Sequence, residues 1–279
     1  MKRRPVSTRA LILALGYFFL YAPIIVLVGY SFNASKFSTV WTGFSVRWYG
    51  ALLHDQVLVS AAWLSLRIAF YTACAAVVIG TWVGFVLARF GRFPGFAVFA
   101  GMAIAPLVIP EVIQGIALLL LFIALQHLVG WPRGRGPVTI WIGHVMLSLS
   151  YVAIVVRSRV NELDRSLEEA AMDLGAKPLK VFFVITLPLL AQALISGWLL
   201  TFTLSFDDFI ASAFLSGPGS STLPLVVFAR VRGGLNPEMN ALATVLISLA
   251  TAGVIGFNLF ASARDRKRAR DRSLALGGA

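Results

Sequence analysis

The chain has 279 residues, of which 58% are hydrophobic and 13% charged, and its mean hydropathy is +0.84. Soluble domains carry roughly 25% charged residues, so this composition excludes a water-soluble fold. The formal charge of +12, which in a soluble protein would point to nucleic acid, sits beside the apolar runs; there it acts as a topology signal, and no nucleic-acid partner is expected.

Six runs are long enough to cross a hydrocarbon core about 30 Å thick. They lie at roughly 10–31, 61–88, 96–125, 138–157, 187–212 and 240–262, within a single transmembrane domain spanning 1–279. With no water in the bilayer core, each backbone must satisfy its own hydrogen bonds, so an all-α polytopic fold is expected. The first run follows Met1-Lys2-Arg3-Arg4 as a leader would. Its apolar stretch is too long for a leader and lacks a small-x-small cleavage site, so it reads as a retained span. Tyr21-Ala22-Pro23 marks a kink in it. Cys74, the only cysteine, excludes an internal disulfide and reads as a small buried hydrophobe.

Lys and Arg number four in residues 2–9, two at 89 and 92, five in 157–180 and six in 264–272. The opposite side holds six: Lys36, Arg47, Arg133, Arg135, Arg230 and Arg232. Both termini are therefore expected in the cytoplasm.

The outer loop 32–60 is rich in aromatics: Phe37, Trp41, Phe44, Trp48 and Tyr49. Trp41, Trp48 and Tyr49 are candidates for a substrate path, since such rings stack on cationic amines; they also anchor helices at the interface. Both readings stand. In the third run, Pro106 and Pro110 bend the helix just before Glu111 and free backbone groups to line a cavity. His144, in the fourth run, shows no ligand spacing with His54 or His127 and reads as ordinary.

The cytoplasmic connection 158–186 is the strongest local signal. Ser166 followed by Glu169 has the spacing of a capping box. Leu167, Ala170, Ala171 and Leu174 form one apolar stripe at i, i+3, i+4 and i+7. Gly175 supplies the left-handed end, and Pro178 opens a second short helix through Phe182 and Phe183 toward Pro188. Periodicity alone allows two roles: a helix lying in a partner's groove, or a connector packed on its own chain.

Asp207 and Asp208 interrupt the fifth run, which is otherwise apolar from Leu187 to Leu215. A carboxylate at helix centre costs about 2.5–3.5 kcal/mol on insertion scales, so such residues mark a pathway or face a partner. At 1.5 Å per residue, Glu111 lies about 22 Å and Asp207 about 30 Å from the cytoplasmic starts of their runs. The three acids can thus meet in the outer half and attract an ammonium-bearing substrate. Competing readings place Glu111 against Arg67 or an arginine of a second chain, and make one of the adjacent aspartates a helix cap. Adjacent helical residues point about 100° apart. The last outer loop, 213–239, turns at Gly217-Pro218-Gly219 and Gly233-Gly234. No internal repeat points to inverted halves. No G-x-x-x-x-G-K-[ST] is present, so the chain is not expected to bind ATP through a P-loop or to be an enzyme.

Glu169-Ala170-Ala171, three residues, Gly175, nine residues, Ile185, one residue, Leu187-Pro188: this resembles the EAA motif of permeases in binding-protein-dependent ABC importers. Further segments are similar to the polyamine branch of that family. They are Tyr30-Ser31-Phe32-Asn33, Trp41-Thr42-Gly43-Phe44-Ser45, Arg47-Trp48-Tyr49, Ala105-Pro106-Leu107-Val108-Ile109-Pro110, Leu204-Ser205-Phe206-Asp207-Asp208 and Asn236-Pro237-Glu238. Two departures are Trp63-Leu64-Ser65-Leu66, where the family shows Asn-Ser-Leu, and Glu111, where close relatives carry Asp.

The resemblance implies a six-helix fold of the ABC importer permease (MetI-like) type in the bacterial inner membrane, importing putrescine or spermidine. Glu169, Ala170, Ala171 and Gly175 become the positions that couple to an ATPase. The implied partners are a second homologous permease, two copies of a cytoplasmic ABC ATPase, a periplasmic polyamine-binding protein and membrane lipid. No cofactor is expected in this chain; ATP and Mg belong to the ATPase. The alternatives are a permease for a different small solute, or a secondary cation transporter using the same acids as proton sites.

Overall fold

The computed structural model describes residues 8–36, 40–91, 93–234 and 237–276. Phe37, Arg92, Asn236 and the basic cluster at 2–4 lie outside the described residues, and the basic run 264–272 is described by its backbone alone. The helices are α1 (Thr8–Tyr30), α2 (Arg47–His54), α3 (Gln56–Arg89), α4 (Phe96–Val108), α5 (Glu111–Val129), α6 (Pro137–Glu162), α7 (Ser166–Asp173), α8 (Pro178–Val181), α9 (Leu187–Asp207), α10 (Ile210–Leu215), α11 (Leu223–Arg232) and α12 (Pro237–Leu276). Among the described residues the only β pairing is an isolated bridge, Asn33 to Phe44. Among the described residues six helices are long and apolar enough to cross a membrane, in number as the sequence predicts.

Two spans differ from the expectation in the same way. The expected third span, 96–125, is divided into α4 and α5 rather than bent. Ile109 and Pro110 are both extended, with ψ of 131° and 135°. A residue before proline avoids the helical region, and Pro110 has no N–H to continue the ladder. Gln114 Nε2 then donates to the carbonyls of Pro106 (2.8 Å) and Ile109 (2.6 Å), partnering main chain at the break. Glu111 is therefore the first residue of a helix, not the middle of one. The expected fifth span, 187–212, begins earlier and ends earlier. α8, a π-helical turn at Phe182–Thr186 and α9 join into one rod, Pro178–Asp207. The second short helix expected in the connection is the first turn of that rod. By contrast α1 runs unbroken across Pro23.

The chain packs as two compact units, 1–56 with 229–279, and 57–228. In the first, α12 packs against α1 and α2. The loop after α1 is organised by Asn33, which is fully buried. Its Nδ2 donates to Val40 O at 2.7 Å, and its Oδ1 accepts from the amides of Ser35 and Thr42 at 3.1 Å each. Arg230 joins Asp55 at 2.5 Å and Glu238 at 3.4 Å.

In the second unit, α3 presents Ala76, Gly80 and Gly84 on one face to α6. Lipid supplies no hydrophobic drive between helices, so small residues that let backbones close in are what joins them. A Cβ added at Gly80 would lie 2.7 Å from Val152 Cβ, and one at Gly84 2.5 Å from the Ala153 carbonyl oxygen. Ala76, Val152, Val156, Val160 and Leu190 are fully buried around this contact. A second core joins Ile68, Leu118, Phe122, Ile140, Ala211 and Leu215. Gly84→Val is expected to cost about 1–3 kcal/mol, the range for overpacking, seen as a lower thermal midpoint of the detergent-solubilised protein; an unchanged midpoint would count against this close approach.

Candidate functional site

The breaks in the third and fifth spans open onto one cavity of about 570 Å³, within the range of small-molecule sites. Glu111, Asp207 and Asp208 all line it, with His144, Ser148 and Tyr151 from α6 and Gln114 from α5. Glu111 and Asp207 are exposed to it, whereas Asp208 is buried. The expected divergence of the adjacent aspartates presumed a continuous helix. The helix ends at Asp207, Asp208 is extended (ψ 121°), and so both carboxylates reach the same space.

Asp208 causes that break. Its Oδ1 accepts from the Ala211 amide (3.3 Å) and its Oδ2 from the Ser212 amide (2.8 Å), capping α10. Of the pair it is thus the cap, and it also pairs with an imidazole. His144 Nε2 lies 2.8 Å from Asp208 Oδ2 and 3.2 Å from Ser212 Oγ, and His144 Nδ1 is 2.7 Å from Ser205 Oγ. With 2% of its side chain exposed, His144 is not the ordinary residue its lone position suggested. An available signal was a polar line along α6: His144, Ser148 and Tyr151 recur at i, i+4 and i+7 in an apolar helix.

Glu111 hydrogen-bonds the Asp208 carboxyl, and Asp207 lies within electrostatic reach of Asp208. Two unit charges 4 Å apart repel by about 4 kcal/mol at an effective dielectric near 20. Carboxyls in such contact are held together by a proton or by a bound cation. Arg67 does not serve: it sits 4.9 Å from the centre of the Trp63 ring and forms no ion pair among the described residues. A larger groove, about 880 Å³, is lined by apolar residues of α3 and α6 with Arg67 as its one charged group, which repels cations. Among the described residues no group of three His, Cys, Asp or Glu is arranged to hold a metal ion.

Trp41, Trp48 and Tyr49 belong to the other compact unit, where their contacts are with the loop itself. Trp48 Nε1 donates to Asn33 O (2.8 Å), Tyr49 Oη pairs with Ser31 Oγ (2.6 Å), and Trp41 meets Tyr30 edge-on. Arg47 lies over the Trp48 ring, 4.3 Å from its centre.

In the connection 158–186 the expected helix forms as α7, with a different cap. Asp164 Oδ1 accepts from the Ser166 amide at 2.9 Å, and no Ser166–Glu169 box is made. A carboxylate suits a helix N-terminus through its dipole as well as its oxygens. That bond, followed by the Ser166 hydroxyl, holds the Asp164 carboxyl below the usual range. The other end is as expected: Gly175 has φ +87°, its amide donates to Met172 O (2.8 Å), and the Ala176 amide donates to Ala171 O (3.0 Å). Periodicity left the stripe's role open, and exposure now decides whether it packs on its own chain. α7 buries no residue, Leu167 is 49% and Leu174 90% exposed, and Glu169 and Ala170 are exposed too. The residue that does face inward is Glu168, bonded to Arg89 and Thr186. Nothing in the sequence sets it apart from the motif glutamate beside it.

Compared with known proteins, residues 76–270 match the profile of the family described as binding-protein-dependent transport system inner membrane component. The chain is 57% identical over 273 residues to the putrescine transport system permease protein PotI of Escherichia coli K12, covering 97% of this chain and 96% of the relative. It is 39% identical over 240 residues to the spermidine/putrescine transport system permease protein PotC of Haemophilus influenzae, covering 86% and 90%. Among solved structures, it shares its fold with a chain of a bacterial ABC transporter involved in the import of the acidic polysaccharide alginate. The TM-score is 0.68 at 15% identity, over 94% of this chain and 99% of the other.

Proposed function

The chain belongs to the family of binding-protein-dependent transport system inner membrane components, and from that premise we propose that it is the permease subunit of an ATP-driven polyamine importer. It forms half of the translocation path beside a second permease, in the bacterial inner membrane with both termini in the cytoplasm. A binding protein on the outer face delivers putrescine or spermidine. Two cytoplasmic ATPases supply the energy and hold ATP and Mg; no chemistry is done in this chain.

The observation that carries the substrate class is the cavity in which Glu111 and Asp207 stand open beside the capped, paired Asp208. Carboxylates at the breaks of two helices offer an ammonium-bearing solute charge-assisted bonds, Glu111 by exchanging its bond to Asp208 for one to the ammonium. Ser148, Tyr151 and Gln114 add neutral partners. Binding there must stay weak enough for release. In cells carrying the complete set of subunits, labelled putrescine or spermidine should be taken up and unlabelled diamines should compete, while diols of equal length should not. Equal competition by the diols would remove the polyamine assignment.

The exposed stripe of α7 supports its role as the ATPase-docking helix. Charging it with Leu167→Glu and Ala170→Glu leaves folding intact, since neither side chain is buried. Affinity for the ATPase, read by co-purification and titration, is expected to fall at least about tenfold, the scale of one interface residue worth 1.4 kcal/mol. Unchanged affinity would mean that α7 does not dock.

A further inference from the structure

We infer that Glu168, gripped by Arg89 and Thr186, is the linkage through which α7 moves the membrane helices, and that this linkage has a second, more fully bonded setting. The inference rests on the docking role proposed for α7.

A helix with no buried residue can displace the rest of the chain only through its connections and the side chains that hold it. Glu168 is such a side chain. Its Oε1 accepts from Arg89 Nη2 at 3.2 Å and from Thr186 Oγ1 at 2.9 Å. Arg89 is the last residue of α3, and its Nη2 also reaches the carbonyl of Leu163, which ends α6, at 3.4 Å. Thr186 closes the π-helical turn that follows α8 in the rod of the fifth span and is 1% exposed. Glu168 and Arg89 together therefore tie α7 to the ends of α3 and α6 and to the first part of the fifth span's rod. The fifth is the helix whose far end carries Asp207. π-Helical turns inside α-helices recur at functional sites, and this one ends on the hydroxyl that Glu168 holds.

The grip is half made. Arg89 and Glu168 side chains are only 10% and 16% exposed, so water screens them little. Arginine and carboxylate favour a fork of two parallel bonds. Here both bonds to Glu168 fall on Oε1, while Arg89 Nε is buried with no partner. A shift of α7 that brings Oε2 to Nε completes the fork. The cavity of about 330 Å³ beside the pair, bounded by Trp82, Phe85, Leu179 and Phe182, gives it room to move. Displacement of α7 by the ATPases thus exchanges one bonded setting for another instead of tearing an ion pair apart.

The test uses the whole complex reconstituted with its ATPases and binding protein, reading ATP consumed per polyamine imported. With Glu168→Gln the ATPase still co-purifies, because the exposed stripe is untouched, and the ratio rises on the order of tenfold, within the span of allosteric couplings. Thr186→Val, nearly isosteric, raises it too; Thr186→Ser, which keeps the hydroxyl, returns it toward wild type. The exchanged pair Arg89→Glu with Glu168→Arg performs better than either single change. An unchanged ratio in both Glu168→Gln and Thr186→Val overturns the linkage. Loss of ATPase capture in Glu168→Gln overturns it as well, by making Glu168 a docking contact. A wild-type chain that captures no ATPase overturns the docking reading along with it.

Discussion

Replacing Glu111 by Gln and Asp207 by Asn together is expected to abolish polyamine uptake while leaving the protein folded and inserted. Both carboxylates face the cavity and neither caps a helix or holds His144. Gln at 111 still donates to Asp208, as a protonated Glu111 would, so the contact between α5 and the fifth-span break survives. What is lost is the capacity to exchange that bond for an ammonium. Hydrogen bonds to charged groups contribute about 1.5–3 kcal/mol each, so removing two lowers occupancy by about two to four orders of magnitude. Initial rates of labelled putrescine uptake, set against the thermal midpoint of the same preparation, separate the two effects. Uptake near the wild-type rate would remove both residues from the path.

His144→Ala is expected to produce the largest loss of stability of any single change in the cavity. It strips the nitrogen that sits 2.8 Å from Asp208 and leaves a carboxylate with 5% of its side chain exposed. Removing the hydrogen-bond partner of a buried group costs about 1–3 kcal/mol, and more where that group is charged, even though the Ala211 and Ser212 amides stay in place. Native proteins have only about 5–15 kcal/mol in total, so much of the folded population is at risk. Thermal unfolding in detergent measures it. The double variant His144→Ala with Asp208→Ala should cost less than the two singles added together, since they share one interaction. Strict additivity would show that imidazole and carboxylate act separately.

The difference between these two predictions marks how far the amino-acid sequence could be read. Six spans were legible because bilayer thickness and the ban on unpaired backbone groups act on every residue of a run at once. Glu111, Asp207 and Asp208 were legible as acids in apolar surroundings, and the Pro106/Pro110 pair pointed to the first break. The second break was not. No proline or glycine marks it; Asp208 ends the helix by capturing two amides further along and an imidazole from 64 positions upstream, a partner that only the folded chain brings near. His144 and Glu168 escaped for the same reason: each takes its meaning from residues distant in sequence, Ser205 and Asp208 for one, Arg89 for the other. Trp48 and Tyr49 show the converse. Their amphipathic rings suit both amine stacking and interfacial anchoring, and the sequence could not show that their polar atoms meet Asn33 and Ser31 in the fold.

The central claim is that nucleotide hydrolysis in a neighbouring subunit moves a cation past the acid cavity of this chain. It is tested most directly by loading proteoliposomes, which contain the purified permease pair, ATPase and binding protein, with a fixed proton gradient and with or without ATP on the ATPase side. Labelled putrescine should accumulate only where ATP is present, and omission of the ATPase should reduce accumulation to the level of empty vesicles. Accumulation by this chain alone, driven by the proton gradient and indifferent to ATP, would contradict it.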